Sequence, residues 1–202
     1  MPEDSPPFGL SPDEERSLVD RARDGESEAL GRLYDVYVVR LYRYCLTRVG
    51  DETEAEDLAE EIFVKVLGAI DRFEWRPAAD GQRVPFGAWL FRIARNEVAS
   101  FQRRAAARPA RTELSESIRD QRRGPHELAE TKLTIEEVFR AVRELPEAQR
   151  DVILLRFGSG LTVAETAAVL GKNQPNVKVL QHKGIRKLQQ LLATEASGTS
   201  KR

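Results

Sequence analysis

From Ala55 to Ile70 the apolar residues stand at Ala55, Leu58, Ala59, Ile62, Phe63, Val66, Leu67 and Ile70, in alternating steps of three and one. An α-helix gathers that spacing onto one face, because its 3.6-residue turn brings positions i, i+3, i+4 and i+7 together. The pattern recurs along the chain. After Ser27 it runs through Leu30, Leu33, Tyr34, Tyr37, Leu41, Tyr44 and Cys45, and after Pro85 through Phe86, Trp89, Leu90, Ile93, Ala94 and Phe101. It resumes with Leu128, Leu133, Ile135, Val138, Phe139, Val142 and Leu145, then beyond Pro146 with Val152, Ile153, Leu155 and Phe157. No segment of useful length alternates with period two, so no strand is expected. The fold class is all-α.

Local punctuation agrees with that reading. Ser11-Pro12-Asp13-Glu14, Thr53-Glu54-Ala55-Glu56 and Thr162-Val163-Ala164-Glu165 each have the form of a capping box, and Gly50 suits a helix stop. Between Ala107 and His126 the periodicity lapses, and Pro109, Gly124 and Pro125 interrupt a polar, charged stretch. The expected organisation is two helical domains, residues 1–108 and 128–202, joined by a flexible linker over residues 109–127. The small, polar residues from Ala193 onward are expected to fray.

Composition excludes several classes of function. One cysteine, Cys45, allows no internal disulfide, and with two histidines, His126 and His182, a protein-only zinc site is not expected. A reducing compartment and a cytoplasmic location follow as expectations. No apolar run approaches the roughly 18 residues needed to span a bilayer, and the start Met1-Pro2-Glu3-Asp4-Ser5-Pro6-Pro7 is unlike a signal peptide. Neither membrane insertion nor a cofactor is expected.

The formal net charge of −1 conceals a division. Residues 1–61 hold 7 basic and 17 acidic side chains, a net of −10; residues 62–126 hold 13 and 7, a net of +6; residues 127–202 hold 12 and 9, a net of +3. By itself the acidic first third reads as a solvated surface. The basic remainder suits nucleic acid.

Two segments carry the nucleic-acid signal. From Thr162 to Leu188 the order Ala167, Gly171, Val177, Leu180 fits a helix-turn-helix: a small residue where the helices cross, a glycine for the turn, apolar residues on the inner face. Asn173 is placed to cap the second helix, with Pro175 tolerated in its first turn. With Val177, Leu180, Ile185 and Leu188 inward, Gln174, Asn176, Lys178, Gln181 and His182 face outward, joined by Lys172 and Arg186 in a stretch without acid between Glu165 and Glu195. Asparagine and glutamine can read adenine, and lysine can reach guanine or phosphate. The second segment places both tryptophans and four phenylalanines between Phe73 and Phe101, among arginines that include Arg76, Arg83, Arg92 and Arg95. Aromatic rings among guanidinium groups suit single-stranded nucleic acid. Phe86, Leu90, Ile93 and Phe101 read as core, whereas Arg92, Arg95 and Asn96 lie on the other face.

The residues Ala55-Glu56-Asp57-Leu58-Ala59-Glu60-Glu61-Ile62-Phe63 and Phe86-Gly87-Ala88-Trp89-Leu90-Phe91-Arg92-Ile93-Ala94-Arg95-Asn96 resemble regions 2.2 to 2.4 of bacterial sigma factors, in particular the extracytoplasmic-function (group IV) class. Leu145-Pro146-Glu147-Ala148-Gln149-Arg150-Asp151-Val152-Ile153-Leu154-Leu155-Arg156, followed by the helix-turn-helix, resembles region 4. The resemblance covers about residues 15–108 and 128–192. It implies a protein that binds the RNA polymerase core through its clamp helices, with Asp57, Glu60 and Glu61 in the docking segment. It implies −10 recognition of single-stranded promoter DNA by Arg76, Arg83, Trp89, Arg92, Arg95 and Asn96. Duplex −35 recognition falls to Lys172, Gln174, Asn176, Lys178, Gln181, His182 and Arg186, and an anti-sigma factor is an expected partner. The resemblance further implies that the linker threads the polymerase's RNA path.

Two departures from the family pattern limit what transfers. The turn from Lys172 to Lys178 lacks the family's small residues, and the segment Glu74 to Pro85 is longer than usual, so promoter sequences are not carried over. No catalytic acid, base or metal set is evident, and no enzymatic activity is expected. Two other classes fit the composition: a ligand-responsive helix-turn-helix repressor, which usually places its DNA helix first, and a helical adaptor whose basic face binds acidic protein.

Overall fold

A computed structural model describes residues 10–75, 85–107 and 135–199 of the 202-residue chain. The linker expected over residues 109–127 lies outside the described residues, as do Arg76, Arg83 and Leu128. Eight α-helices carry the described residues: α1 (Pro12–Arg23), α2 (Ser27–Val49), α3 (Glu52–Leu67), α4 (Phe86–Ala107), α5 (Ile135–Arg143), α6 (Glu147–Ile153), α7 (Val163–Leu170) and α8 (Gln174–Thr199). A single 3-10 turn, Ile70–Arg72, comes after α3. No strand occurs among the described residues, in keeping with the all-α expectation.

Local chemistry sets the helix ends. Ser11 and Thr162 cap α1 and α7 with reciprocal bonds to Glu14 and Glu165, so both boxes form as the sequence suggests. The box expected at Thr53 does not form. Asp51 is the cap instead, its Oδ1 accepting from Glu54 N at 2.9 Å, and the helix starts at Glu52. The carboxylate stands immediately after Gly50, whose φ of 88° ends α2 in the left-handed region, so it meets the next orphan N–H groups first. Each such cap contributes about 1 kcal/mol. At the other end, α8 extends to Thr199. Gln189, Gln190, Leu191, Leu192 and Ala193 all favour helix, and Thr194 Oγ1 donates back to Gln190 O at 2.9 Å.

Helices α1 to α4 wrap one another around Val19, Leu33, Leu41, Tyr44, Ile62, Phe86, Leu90 and Phe91, each fully or almost fully buried. Edge-to-face ring pairs tie this core: Tyr44 to Phe91 at 5.8 Å, Tyr37 to Phe86 at 5.6 Å and Phe73 to Phe86 at 5.4 Å. Pairs of this geometry add about 0.5–1.5 kcal/mol each to the burial of the rings. Burial pushes the Cys45 thiol up to about 12, which leaves it a packing residue rather than a reactive one. Helices α5 to α8 pack around Leu145, Ile153, Leu155 and Leu161, and the same apolar cluster continues without a break into α1–α4.

Phe157 departs from the expected pattern. Residues Leu154–Gly158 form one π-helical turn, closed by Ser159 N donating to Leu154 O at 2.8 Å. The extra residue shifts the angular register of the turn, and Phe157 is left 56% exposed instead of facing inward.

Gly184 has a role that periodicity alone hides. It is buried in the middle of α8 where that helix crosses α6, and a Cβ placed there would sit 2.9 Å from Ile153 Cγ1. Gly31, inside α2, has open space around it. The two sites should answer oppositely to the same change. Gly31→Ala is expected to raise the melting temperature, since alanine is favoured over glycine inside a helix by about 1 kcal/mol. Gly184→Ala is expected to lower it, because overpacking against a buried β-branched neighbour costs about 1–3 kcal/mol. Thermal denaturation by circular dichroism reads both, and a stabilised Gly184→Ala would contradict the close crossing.

Candidate nucleic-acid interface

The turn between α7 and α8 is built as the sequence requires. Gly171 holds φ at 61°, Asn173 Oδ1 accepts from Asn176 N at 2.9 Å, and Ala167, Val152 and Val177 form a small cluster beneath the turn. With Val177 buried and Leu180, Ile185 and Leu188 half-buried, the opposite face of α8 looks outward. Lys172, Asn176, Lys178, His182 and Arg186 are exposed, and Lys178, His182 and Arg186 succeed one another at four-residue steps. Gln174 and Gln181 are half-buried at the edge of that face. Arg156 Nε donates to Gln181 Oε1 at 3.0 Å, which fixes the amide's direction. The surface is a strip of cationic and amide side chains on a rigid helix.

The acidic face lies on α3. Asp57, Glu60 and Glu61 are exposed there while Leu58, Ala59, Ile62 and Phe63 are buried. Lys65 Nζ bridges Glu61 at 2.8 Å and Glu97 at 2.7 Å, and the lysine holds the Glu61 carboxyl below its ordinary range. Val64, on the same face as Asp57, Glu60 and Glu61, is 67% exposed. No sequence motif marks this valine. Its position outside the apolar stripe of α3 is the one signal that sets it apart. An exposed branched aliphatic beside carboxylates suits a protein partner better than DNA.

On α4 the sequence-predicted residues divide. Trp89 is half-buried, its ring 5.2 Å from Phe73 and 5.5 Å from Phe86. Asn96 is exposed. Arg92, exposed, and Arg95, its side chain 39% exposed, also reach the C-terminal helices, where Arg92 donates to Ala168 O and Arg95 Nε lies 3.4 Å from Asp151 Oδ2. Two arginines of α2 do the same. Arg48 Nη1 bonds Asp151 Oδ1 at 2.7 Å, and Arg40 Nε donates to Ser159 O at 2.6 Å while its guanidinium lies over the Tyr37 ring.

The start of α4 is held from α1. Glu15, only 8% exposed, accepts from Phe86 N at 3.3 Å, from Gly87 N at 3.2 Å and from the Tyr37 hydroxyl. It thus satisfies two orphan donors of α4 from a distant part of the chain. Burial raises its carboxyl above the ordinary range, against the Tyr37 bond that lowers it, and the Glu165 carboxylate adds to the rise. In the sequence Glu15 looks like one more solvated acid after Asp13 and Glu14. Its step to Leu18, Val19 and Ala22, which places it on the apolar stripe, is the signal that sets it apart.

The Sigma-70 region 2 family model matches residues 33–108, and the Sigma-70, region 4 model matches residues 141–190. The ECF RNA polymerase sigma factor BldN of Streptomyces coelicolor is 40% identical over 180 residues, which cover 89% of this chain and 66% of BldN. ShbA of Streptomyces griseus, also an ECF RNA polymerase sigma factor, is 34% identical across 87% of this chain and 93% of its own. Among solved structures, CnrH in complex with the cytosolic domain of CnrY matches with a TM-score of 0.66 and 27% identity, covering 89% of this chain and 97% of that one.

The buried carboxylate of Glu15 generates a pH signature. A carboxyl raised on folding binds its proton more tightly in the folded chain, so its contribution to stability falls as pH rises from the unfolded value through the folded one. Relative to Glu15→Gln, the wild type should gain stability as pH is lowered from 7 toward 4.5. Urea unfolding of both proteins across that range measures the difference, and a gap that stays constant with pH would contradict the assignment.

Proposed function

The chain belongs to the extracytoplasmic-function RNA polymerase sigma factors, and from that premise we propose how its residues divide the work of promoter-specific initiation. The acidic face of α3, with Asp57, Glu60 and Glu61 beside Val64, docks on the clamp helices of the polymerase core. The turn residue Lys172 and the outward strip of α8, from Gln174 to Arg186, enter the major groove of the −35 duplex. Trp89, Arg92, Arg95 and Asn96 on α4, with Arg76 and Arg83 in the segment before it, take the melted −10 strand. Residues 1–108 and 128–202 act as two domains joined by residues 109–127.

The observation that carries this reading is the match of both sigma regions, in order, to the parts of the chain that bear the helix-turn-helix and the arginine-aromatic helix. Charge supports it as well. A net of −10 over residues 1–61 repels a phosphate backbone, while the exposed face of α8 attracts one. Opening the −10 element needs binding energy rather than a catalyst. Unstacking a base costs a few kcal/mol, and stacking it on a protein ring returns about 1–3 kcal/mol. The protein therefore acts as a non-enzymatic specificity subunit, without metal or cofactor.

An anti-sigma protein is the natural regulator to propose, since CnrH, similar across both halves of the chain, was solved bound to the cytosolic domain of CnrY. A cytoplasmic site of action is the location that suits the polymerase partner. Among the described residues no helix is long and apolar enough to cross a membrane. A ligand-responsive repressor with the same helix-turn-helix would require neither the acidic docking face nor the region 2 match.

In vitro transcription with core polymerase and a promoter library tests the reading directly. Transcripts that require this chain are expected, and identical products from core alone would overturn it. Asp57→Lys with Glu61→Lys is expected to weaken core binding at least tenfold by fluorescence anisotropy. Asn176→Ala should cost about 1–3 kcal/mol of duplex affinity on the selected −35 sequence. Lys178→Ala should instead weaken all duplexes alike and reduce the salt slope by about 1.

A further inference from the structure

Helix α1 lies ahead of the region 2 match, which begins at residue 33, yet two of its carboxylates reach the aromatic cluster around the start of α4. Glu15 is the first. Pro85, immediately before α4, offers no side-chain acceptor to Phe86 N and Gly87 N. Glu15 accepts from both, at 3.3 and 3.2 Å, and from the Tyr37 hydroxyl as well. Gly87 makes room for that arrangement, because a Cβ there would sit 3.1 Å from Tyr37 Oη. The helix so anchored carries Trp89 in its first turn, with Trp89 N donating to Pro85 O at 3.3 Å.

Asp20 is the second. Its Oδ1 accepts from the Trp75 indole Nε1 at 3.1 Å, with Arg16 Nε and Arg23 Nη1 each 3.8 Å from the carboxylate. Trp75 meets Phe73 edge-on at 4.9 Å, and the buried Phe73 ring stands 5.4 Å from Phe86 and 5.2 Å from Trp89. The four rings thus come from two stretches of backbone that are not consecutive, and each α1 carboxylate holds one of them. Trp75 is half-buried, so water can satisfy its N–H as well as Asp20 does. The bond to Asp20 therefore fixes where the ring lies rather than offsetting its burial.

We propose that Glu15 and Asp20 are positioning residues for promoter opening: they hold the two backbone stretches that carry the ring cluster, and so fix the surface that receives an unstacked −10 base. The proposal rests on the reading of Trp89 as a strand-stacking residue. Glu15 is too buried to meet DNA and acts through the α4 backbone, while Asp20 acts through the Trp75 ring. Stacking returns binding energy only where the ring stands in the path of the base, and supporting hydrogen bonds keep it there. Core docking at α3 and duplex reading at α8 use other surfaces and do not depend on either carboxylate.

The test uses the full chain with core polymerase on a promoter selected from the library, as closed duplex and as a heteroduplex already mismatched across the −10 element. Asp20→Ala and Glu15→Ala are each expected to lower transcription from the duplex about fivefold or more, the lower end of what stacking one base is worth. The heteroduplex should restore both to wild-type output, and affinity for core and for −35 duplex should stay at the wild-type value. Asp20→Asn keeps the acceptor oxygen and should transcribe the duplex as the wild type does. Trp75→Phe should reproduce Asp20→Ala, and the two together should cost no more than either. Trp75 and Trp89 are the chain's two tryptophans, so intrinsic emission should shift in Asp20→Ala and not in Asp20→Asn. Equal losses from Asp20→Asn and Asp20→Ala, additive losses in the pair, unmoved emission in Asp20→Ala, or a defect that persists on the heteroduplex would overturn the proposal. Should Glu15→Ala lose its helical circular dichroism, the Asp20 and Trp75 variants decide the matter. Trp89→Ala separates the two readings: wild-type transcription from it sinks the strand-stacking role itself. If Trp89→Ala is impaired while Asp20→Ala and Glu15→Ala are not, the positioning proposal alone fails.

Discussion

The molecule's two halves are held in register by one carboxylate between two guanidinium groups. Asp151 reaches Arg48 at 2.7 Å in a setting where both side chains are almost entirely out of water. Removing two charges from water is costly, and such a pair does not have to be more stable than an apolar replacement. Its significance lies in direction. Loss of one partner strands the other charge in a dry place, at a cost of about 3–5 kcal/mol, so the contact is either complete or open. Apolar packing of α7 on α4 supplies attraction without orientation; Asp151 supplies the orientation.

Charge partition gives the same chain three distinct surfaces. Carboxylates on α3 are exposed and would be poor company for DNA, whereas the exposed strip of α8 carries lysine, histidine and arginine on a helix whose inner face is buried. The third surface is α4, whose arginines already have acceptors in the free chain. Helix α4 is fixed at its start by Glu15 and along its first turn by the ring cluster of Phe73, Phe86 and Trp89. A rigid α4 matters for a strand-binding role, because stacking surfaces and guanidinium forks must hold their spacing while a base is taken from the duplex.

Periodicity made the helices legible, and turn chemistry made their ends legible wherever the capping residue had no competitor. Thr53 lost its expected role to Asp51 because a stronger acceptor stood two residues earlier, next to the turn at Gly50. Phe157 was misplaced because a π-helical turn breaks the 3.6-residue count on which the expectation rested. The helix-turn-helix face was readable since its inward and outward residues alternate cleanly. The ion pairs of Asp151 were not, for they join residues 103 and 56 positions apart in sequence, and no local pattern encodes such a partner. Polar residues standing on apolar stripes, as Glu15 does on α1 and Arg40 between Tyr37 and Leu41 on α2, were the trace that the sequence carried.

The central claim is that one carboxylate, Asp151, between Arg48 and Arg95, holds the two halves of the chain in register. The distance between spin labels at Glu28 on α2 and Gln189 on α8, both exposed, reports on it directly, since buried Cys45 resists labelling. Double electron–electron resonance should give one narrow distribution for the wild type and a broader one for Asp151→Asn. A broad distribution in the wild type, or an Asp151→Asn variant that keeps the narrow one, would contradict the account.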